Sequence, residues 1–290
     1  MYHQDASLFV VATPIGNLKD ITLRALEVLA GVDVVVSENV RKTRNLLDHF
    51  GIRTRVASYR EENAGRMGSV IVGMLGRAKN VALVAEAGTP GLSDPGRLLV
   101  RKVRREGFRV VAVPGPSALA AAISVAGMDE QRLVFEGFLP RRRSKRRERL
   151  GELAGEARAI VLFEAPHRLL ETLGDMLGAL GDRSCVVCRE LTKLHEEVEE
   201  GTISYFVSKY QAAPPIGEFV IVASGSAEPG RGAPRAAGVS FEEAVAEARE
   251  LVAGGRRKTE AAKLVEKKYG LRGGGIYQAL ATSHRKGEGK

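Results

Sequence analysis

Tryptophan is absent from this chain, cysteine occurs twice, and aromatic residues make up only 5% of its 290 positions. Two cysteines cannot frame a disulfide-dense secreted fold. Cys185 and Cys188 stand three apart in a valine-rich, strand-like run, so they face opposite sides and read as small core residues; no metal site is expected. No apolar run approaches the eighteen or so residues of a membrane span, and runs such as Val81 to Ala85 have strand length. The opening MYHQDASLFVV lacks the basic region and cleavage pattern of a secretory signal, so a cytoplasmic location without membrane contact is expected. Also missing are G-x-x-x-x-G-K-[ST], G-x-G-x-x-G and G-x-S-x-G, which argues against nucleoside triphosphate, ordinary dinucleotide and acyl-transfer chemistry.

What is present is a globular composition, 44% hydrophobic and 27% charged, long enough for two domains. Lysine and arginine exceed aspartate and glutamate by 44 − 35 = +9. Much of the excess sits in one place: Arg141, Arg142, Arg143, Lys145, Arg146, Arg147 and Arg149, with only Glu148 against them. So many neighbouring cations are not expected to find carboxylates for all. The run therefore reads as a basic loop at a domain edge, with Arg141, Arg142, Arg143, Lys145, Arg146 and Arg147 as RNA-binding candidates. A second basic cluster, Arg256, Arg257, Lys258, Lys263, Lys267, Lys268 and Arg272, lies near the C-terminus. Two separated patches suit a long anionic partner.

Hydrophobic periodicity divides the chain. Residues 1–127 alternate strand and helix, with strands at Leu8 to Ala12, Val32 to Ser37, Arg55 to Ser58, Val81 to Ala85 and Arg109 to Val113. Asp20 is expected to cap the first helix, and Gly51 to end the second. Such βα repeats imply a mainly parallel sheet covered on both faces. Residues 128–225 form a second α/β set, 226–238 a Gly/Pro/Ala-rich linker, and 239–290 a small helical module with a helix-turn-helix layout.

Ligands of open α/β sheets bind beyond the carboxyl ends of the strands. Four loops there are rich in glycine and proline: Thr13 to Asn17, Glu86 to Gly96, Pro114 to Ser117, and Phe163 to Arg168 of the second set. Each alone is a turn; four together suggest a binding cleft.

These loops carry a resemblance. LFVVATPIGNLKDITLRALEVL from Leu8, AGTPGLSDPG from Ala87, PGPSAL from Pro114, FEGFLP from Phe135, FEAPHRLLETL from Phe163, RELTK from Arg189 and GEFVIV from Gly217 closely resemble, in that order, the ribosomal RNA small-subunit methyltransferase I family. That family belongs to the tetrapyrrole-methylase-like class of S-adenosylmethionine enzymes. The resemblance implies two α/β domains with S-adenosyl-L-methionine in the cleft between them, and usually a homodimer. It implies 2′-O-methylation of a cytidine ribose in the decoding region of 16S rRNA, with the small ribosomal subunit as partner.

Carried over by motif, the cofactor rests against Pro14, Thr89, Pro90, Leu92, Ser117 and Ala118, with Phe163 and Leu191 closing over it. Family members usually carry an acidic-Asp-Thr-Arg stretch where this chain has Glu38-Asn39-Val40-Arg41, and Ser-Asp-Ala-Gly where it has Ala85-Glu86-Ala87-Gly88. Methyl transfer to a ribose hydroxyl needs alignment first, then a proton acceptor or a cation beside the developing alkoxide. Candidate acceptors are Glu38, Asp94, Glu164 and Glu190; candidate cations are Arg41, Arg168 and Lys193; His167 could serve either way. Two other readings compete: a methyltransferase of the same fold acting on a tetrapyrrole or a protein, and a non-catalytic RNA-binding ribosome-assembly protein.

Overall fold

The computed structural model describes residues 6–128, 132–226, 241–269, 276–277 and 279–280. The linker expected at 226–238 falls almost wholly outside the described residues.

Five valine-rich segments form the first sheet: β1 (Ser7–Val11), β2 (Val34–Ser37), β3 (Val56–Ser58), β4 (Val81–Val84) and β5 (Arg109–Val113), in the order β3-β2-β4-β1-β5. Every pairing is parallel. Side chains alternate between two buried layers, as a strand period of two requires. Leu8, Val34, Val36, Val81 and Leu83 pack on α3 (Ala64–Leu75) and α4 (Gly96–Arg105), while Val11, Val35, Ala82 and Val84 pack on α1 (Leu23–Gly31) and α2 (Val40–His49). One expectation is corrected. Thr22, not Asp20, caps α1, its hydroxyl accepting from the Ala25 amide at 3.1 Å; Asp20 instead ends a short 3-10 turn, Leu18–Asp20. Gly51 has a φ of +68°, the left-handed turn that ends α2.

The second sheet is mixed. Its strands are β6 (Leu133–Phe138), β7 (Ala159–Glu164), β8 (Ser184–Arg189), β9 (Glu197–Thr202) and β10 (Phe219–Ala223), in the order β6-β7-β10-β8-β9. Only β6 and β7 are parallel; the other three pairings are antiparallel. One face is covered by α6 (Arg143–Glu152), α7 (Pro166–Leu180) and α8 (Ile203–Ala212), with Leu150, Leu169, Leu173, Met176 and Phe206 at its centre. The other is covered by the alanine-rich α5 (Ala118–Ala126), which follows β5 of the first sheet. Ala122 is fully buried against Val161, Val186, Val220 and Val222, so one helix joins the two units through small side chains that allow close approach. Cys185 and Cys188 lie on opposite faces of β8, both buried and free.

After the linker, α9 (Phe241–Ala253) and α10 (Lys258–Tyr269) pack with Ile276 and Leu280 around a small core of Ala244, Val245, Ala248, Ala262 and Val265. Among the described residues, no helix is long and apolar enough to cross a membrane, and no three His, Cys, Asp or Glu side chains converge as metal ligands.

Candidate active site

The glycine- and proline-rich loops meet between the two units. The first is tied to the β4 loop by a two-way bridge, Thr13 N to Gly88 O at 3.0 Å and Gly88 N to Thr13 O at 2.9 Å. Gly88 holds a φ of +75°, and a Cβ there would press on Ile15 Cγ2 at 3.2 Å, so the bridge needs glycine. Thr89 Oγ1 donates to Pro116 O at 3.0 Å, binding the β4 loop to the β5 loop. Ser117 caps α5. From the second unit, Glu190 to Lys193 fold so tightly over Gly16 that a Cβ on it would strike Lys193 Cγ and Thr192 Oγ1. Ser93, Glu190 and Thr192 hold positive φ values of 65°, 52° and 68°. Such backbone is strained for non-glycine residues and is maintained only where surroundings fix it.

Between these loops lies a cleft of about 580 Å³, within the range of small-ligand sites. One wall is Ile15, Ala87, Gly88, Thr89, Leu92, Ser117 and Ala118; the other is Phe163, Leu191, Phe219 and Val220. Of the residues named from sequence for the cofactor, Thr89, Leu92, Ser117, Ala118, Phe163 and Leu191 line this cleft. Pro14 lines a smaller adjoining cavity of about 390 Å³, with Thr13, Asn45, His49 and Lys193. Pro90 lines neither. Lys42 and Glu86, which form an ion pair, belong to the walls of both cavities. No sequence motif marks Lys42, while Glu86 is marked by its strand-end loop and by its place in the Ala85-Glu86-Ala87-Gly88 stretch.

The candidate acceptors have different surroundings. Both Asp94 oxygens are occupied within its own loop, by Gly91 N at 2.7 Å and Gly96 N at 2.6 Å. Glu164 is buried and accepts from Thr172 Oγ1 at 2.6 Å and Ala165 N at 2.9 Å, with Arg168 beside it at 3.4 Å. Arg168 also donates to Leu139 O at 2.8 Å. Glu190 is held by Lys193 Nζ at 2.7 Å and Glu218 N at 2.9 Å; chiefly the Lys193 bond keeps its carboxyl below the ordinary range. Burial pulls the Lys193 ammonium down, but its bonds to Glu190 and Glu218 outweigh that and hold it above its usual value. These groups are spoken for.

Glu38 is not. It lines the cleft, and its carboxylate makes no hydrogen bond or ion pair among the described residues. Partial burial raises its pKa, and the charges of Glu86 and Asp94 raise it further, against a smaller opposing effect from Arg60. His167 lines the cleft at the start of α7. Arg41 lies on α2, outside both cavities. Asn39 caps α2, its side chain accepting from Lys42 N at 3.1 Å. Asparagine and aspartate cap equally well, so the chain keeps the helix start without a second carboxylate.

The basic run departs from expectation. It is not a loop: from Arg143 onward it is α6, and most of its cations are paired. Arg143, Arg146 and Arg147 share Asp175; Arg149 holds Glu136 and Glu152; Lys145 meets Glu148. Glu148 and Glu152 belong to α6 itself, whereas Glu136 on β6 and Asp175 on α7 are distant in sequence and adjacent in the fold. Arg141 and Arg142 precede the helix, exposed.

Residues 7–206 match a family described as tetrapyrrole (corrin/porphyrin) methylases. A ribosomal RNA small subunit methyltransferase I of Thermotoga maritima is 45% identical over 218 residues, covering 75% of this chain and 98% of that protein. Its namesake in Synechocystis is 40% identical over 272 residues, 93% of this chain and 96% of that one. Among solved structures, cobalt precorrin-4 methyltransferase superposes with a TM-score of 0.58 at 20% identity, over 76% of this chain and 94% of that one. Diphthine synthase does so with a TM-score of 0.56 at 16% identity, over 76% and 90%. At such identities the structural matches speak for the fold alone.

Proposed function

The chain belongs to the tetrapyrrole methylase family, together with the small-subunit ribosomal RNA methyltransferase I proteins, and from that premise we propose that it methylates the 2′-oxygen of a cytidine ribose in the decoding region of 16S rRNA. The observation that carries this reading is the cleft, where the family's loop motifs converge from both units.

The methyl donor is S-adenosyl-L-methionine, and the cleft fits it. The volume is adequate, the Gly88 backbone forms a cradle that a Cβ would crowd, and apolar Phe163, Leu191 and Val220 face polar Thr89 and Ser117. Thr89, Leu92, Ser117, Ala118, Phe163 and Leu191 would hold it, with Pro14 and Pro90 shaping the loops behind them. When bound it supplies an electrophilic methyl group on a sulfonium.

The chain's own residues then have two tasks. The loops fix the acceptor within about 3–3.5 Å of reacting geometry, the larger part of the barrier reduction. The smaller cavity beneath Lys42 and Glu86 offers the approach for the acceptor nucleotide, with Asn45 and His49 at its rim. Glu38, whose carboxylate has no hydrogen-bond partner among the described residues and whose pKa is raised, takes the proton from the 2′-hydroxyl. Lys42 and His167, both on the cleft wall, are the side chains placed to steady the alkoxide. Asp94, Glu164, Glu190, Lys193 and Arg168 brace the loops instead.

The exposed cations Arg141 and Arg142, with the outer side of α6, bind the RNA backbone; the partners are 16S rRNA and the small ribosomal subunit. That substrate makes the enzyme cytoplasmic, and the family resemblance carries a homodimer, which light scattering would test.

The deciding experiment is methyl incorporation from labelled S-adenosyl-L-methionine into small subunits lacking the modification, mapped by resistance to alkaline cleavage. One protected cytidine in the decoding region is the expected result. Cofactor binding without incorporation would overturn the reading.

A further inference from the structure

One carboxylate on α7 collects three guanidiniums from α6. Asp175 Oδ2 accepts from Arg146 Nε at 2.8 Å, while Asp175 Oδ1 accepts from Arg147 Nε at 2.7 Å and Arg143 Nε at 3.3 Å. The Arg146 side chain is 1% exposed and also meets Glu171 at 3.2 Å. That buried pair joins α6 to α7 beside the apolar cluster of Leu150, Leu169 and Leu173. Arg143 and Arg147 differ: their side chains are 67% and 58% exposed, and each meets the carboxylate through its Nε. Their terminal amino groups make no hydrogen bond among the described residues.

Four residues apart, the two arginines occupy successive turns on one helix face. Sharing one oxygen through Nε fixes their guanidiniums side by side. Against three cations, Asp175 and Glu171 supply two negative charges, leaving 3 − 2 = +1 before Arg141 and Arg142 are added. A carboxylate arranged only to neutralise α6 would not leave that surplus facing water.

We propose that Arg143 and Arg147 form a preset clip for one phosphodiester group of single-stranded RNA, with Asp175 as the positioning residue. An arginine fork matches two phosphate oxygens, and a side chain already anchored loses little freedom on binding. The clip is near the cleft. Arg168 ties Leu139 and Pro140, just ahead of the basic run, to the α7 turn whose Pro166 and His167 line the cleft. Asp175 lies eight residues beyond His167, about 12 Å along the helix. The phosphate it serves therefore lies on the same stretch of strand as the reacting nucleotide, not directly beside it. This inference rests on the rRNA reading above and names the RNA contact within it.

The test uses the full chain and small-subunit RNA lacking the methyl group. Arg143→Lys with Arg147→Lys keeps both charges but removes the Nε anchors and the forks. It should raise KM for RNA about fivefold, leave kcat unchanged and leave the salt dependence of binding unchanged. Arg143→Gln with Arg147→Gln should give the same split and flatten the slope of log K against log salt by about 0.7, one single-strand phosphate. Asp175→Asn should raise KM like the lysine pair, its folding checked by thermal melting. A glutamine pair that melts lower yet keeps the wild-type KM and salt slope would reduce both arginines to a helix staple and overturn the proposal. A wild-type chain that binds this RNA without methylating it would sink the functional reading alone, since the binding slopes still report on the clip.

Discussion

Glu38 and Asn39 are neighbours at the end of one strand, and their surroundings give them different work. The Asn39 side chain turns back to the Lys42 amide and starts α2, while the Glu38 carboxylate faces the cleft beside Glu86 and Asp94. Burial and like charge both disfavour its ionised form, so its pKa stands above the ordinary carboxylate value. A proton acceptor works only when ionised, so the rate should rise with pH through that raised pKa and level off above it. Glu38→Gln should lower kcat about a hundredfold, leave S-adenosyl-L-methionine affinity within a few-fold, and remove the acid limb of the pH profile. A variant that keeps both rate and limb would exclude Glu38 as the base. The sequence marked Glu38 as one of four acceptor candidates, but nothing in it distinguished them. Hydrogen bonds from Gly91, Gly96, Thr172 and Lys193 did, and each depends on the folded backbone.

At the scale of single elements, β8 and α6 make opposite points. In β8 the period of two was enough: Cys185 and Cys188 fall on opposite faces, and burial pushes their thiols up to about 12 and about 11. Thiolate is the reactive form, so a thiol reagent at pH 8 should label neither cysteine in the native protein and both in denaturant. Labelling before unfolding would show that β8 opens locally. For α6, composition misled. Its cations looked unpaired because Glu136, Glu171 and Asp175 are remote in sequence. The start of α6 also carries no apolar stripe to mark it as helix, so the run reads as a loop where the structure has a helix from Arg143 onward.

For the molecule as a whole, the cores are separate at one boundary and fused at another. The cluster of Ala244, Val245, Ala248, Ala262 and Val265 shares no residue with those of the two sheets, and the Thermotoga relative is matched over 98% of its length by 75% of this chain. A chain ending at residue 226 should therefore melt within a few degrees of the full protein and keep its S-adenosyl-L-methionine affinity, measured by calorimetry. Loss of that affinity would mean that the C-terminal helices shape the cleft. The two sheets, in contrast, should not separate. Cutting after α5 would strip one face of the second sheet and expose Val161, Val186, Val220 and Val222 to water.

The sequence by itself determined the elements and the loops. Hydrophobic period and glycine positions are local physics, and they located the five strands of the first sheet and the end of α2, while the ordered motifs identified the family. Tertiary structure alone decided which cations are paired, which carboxylates of the cleft are held by hydrogen bonds, and that α5 binds the units together. Each of those depends on partners brought close by folding, and a charge or hydrogen bond between distant residues leaves no period in the chain.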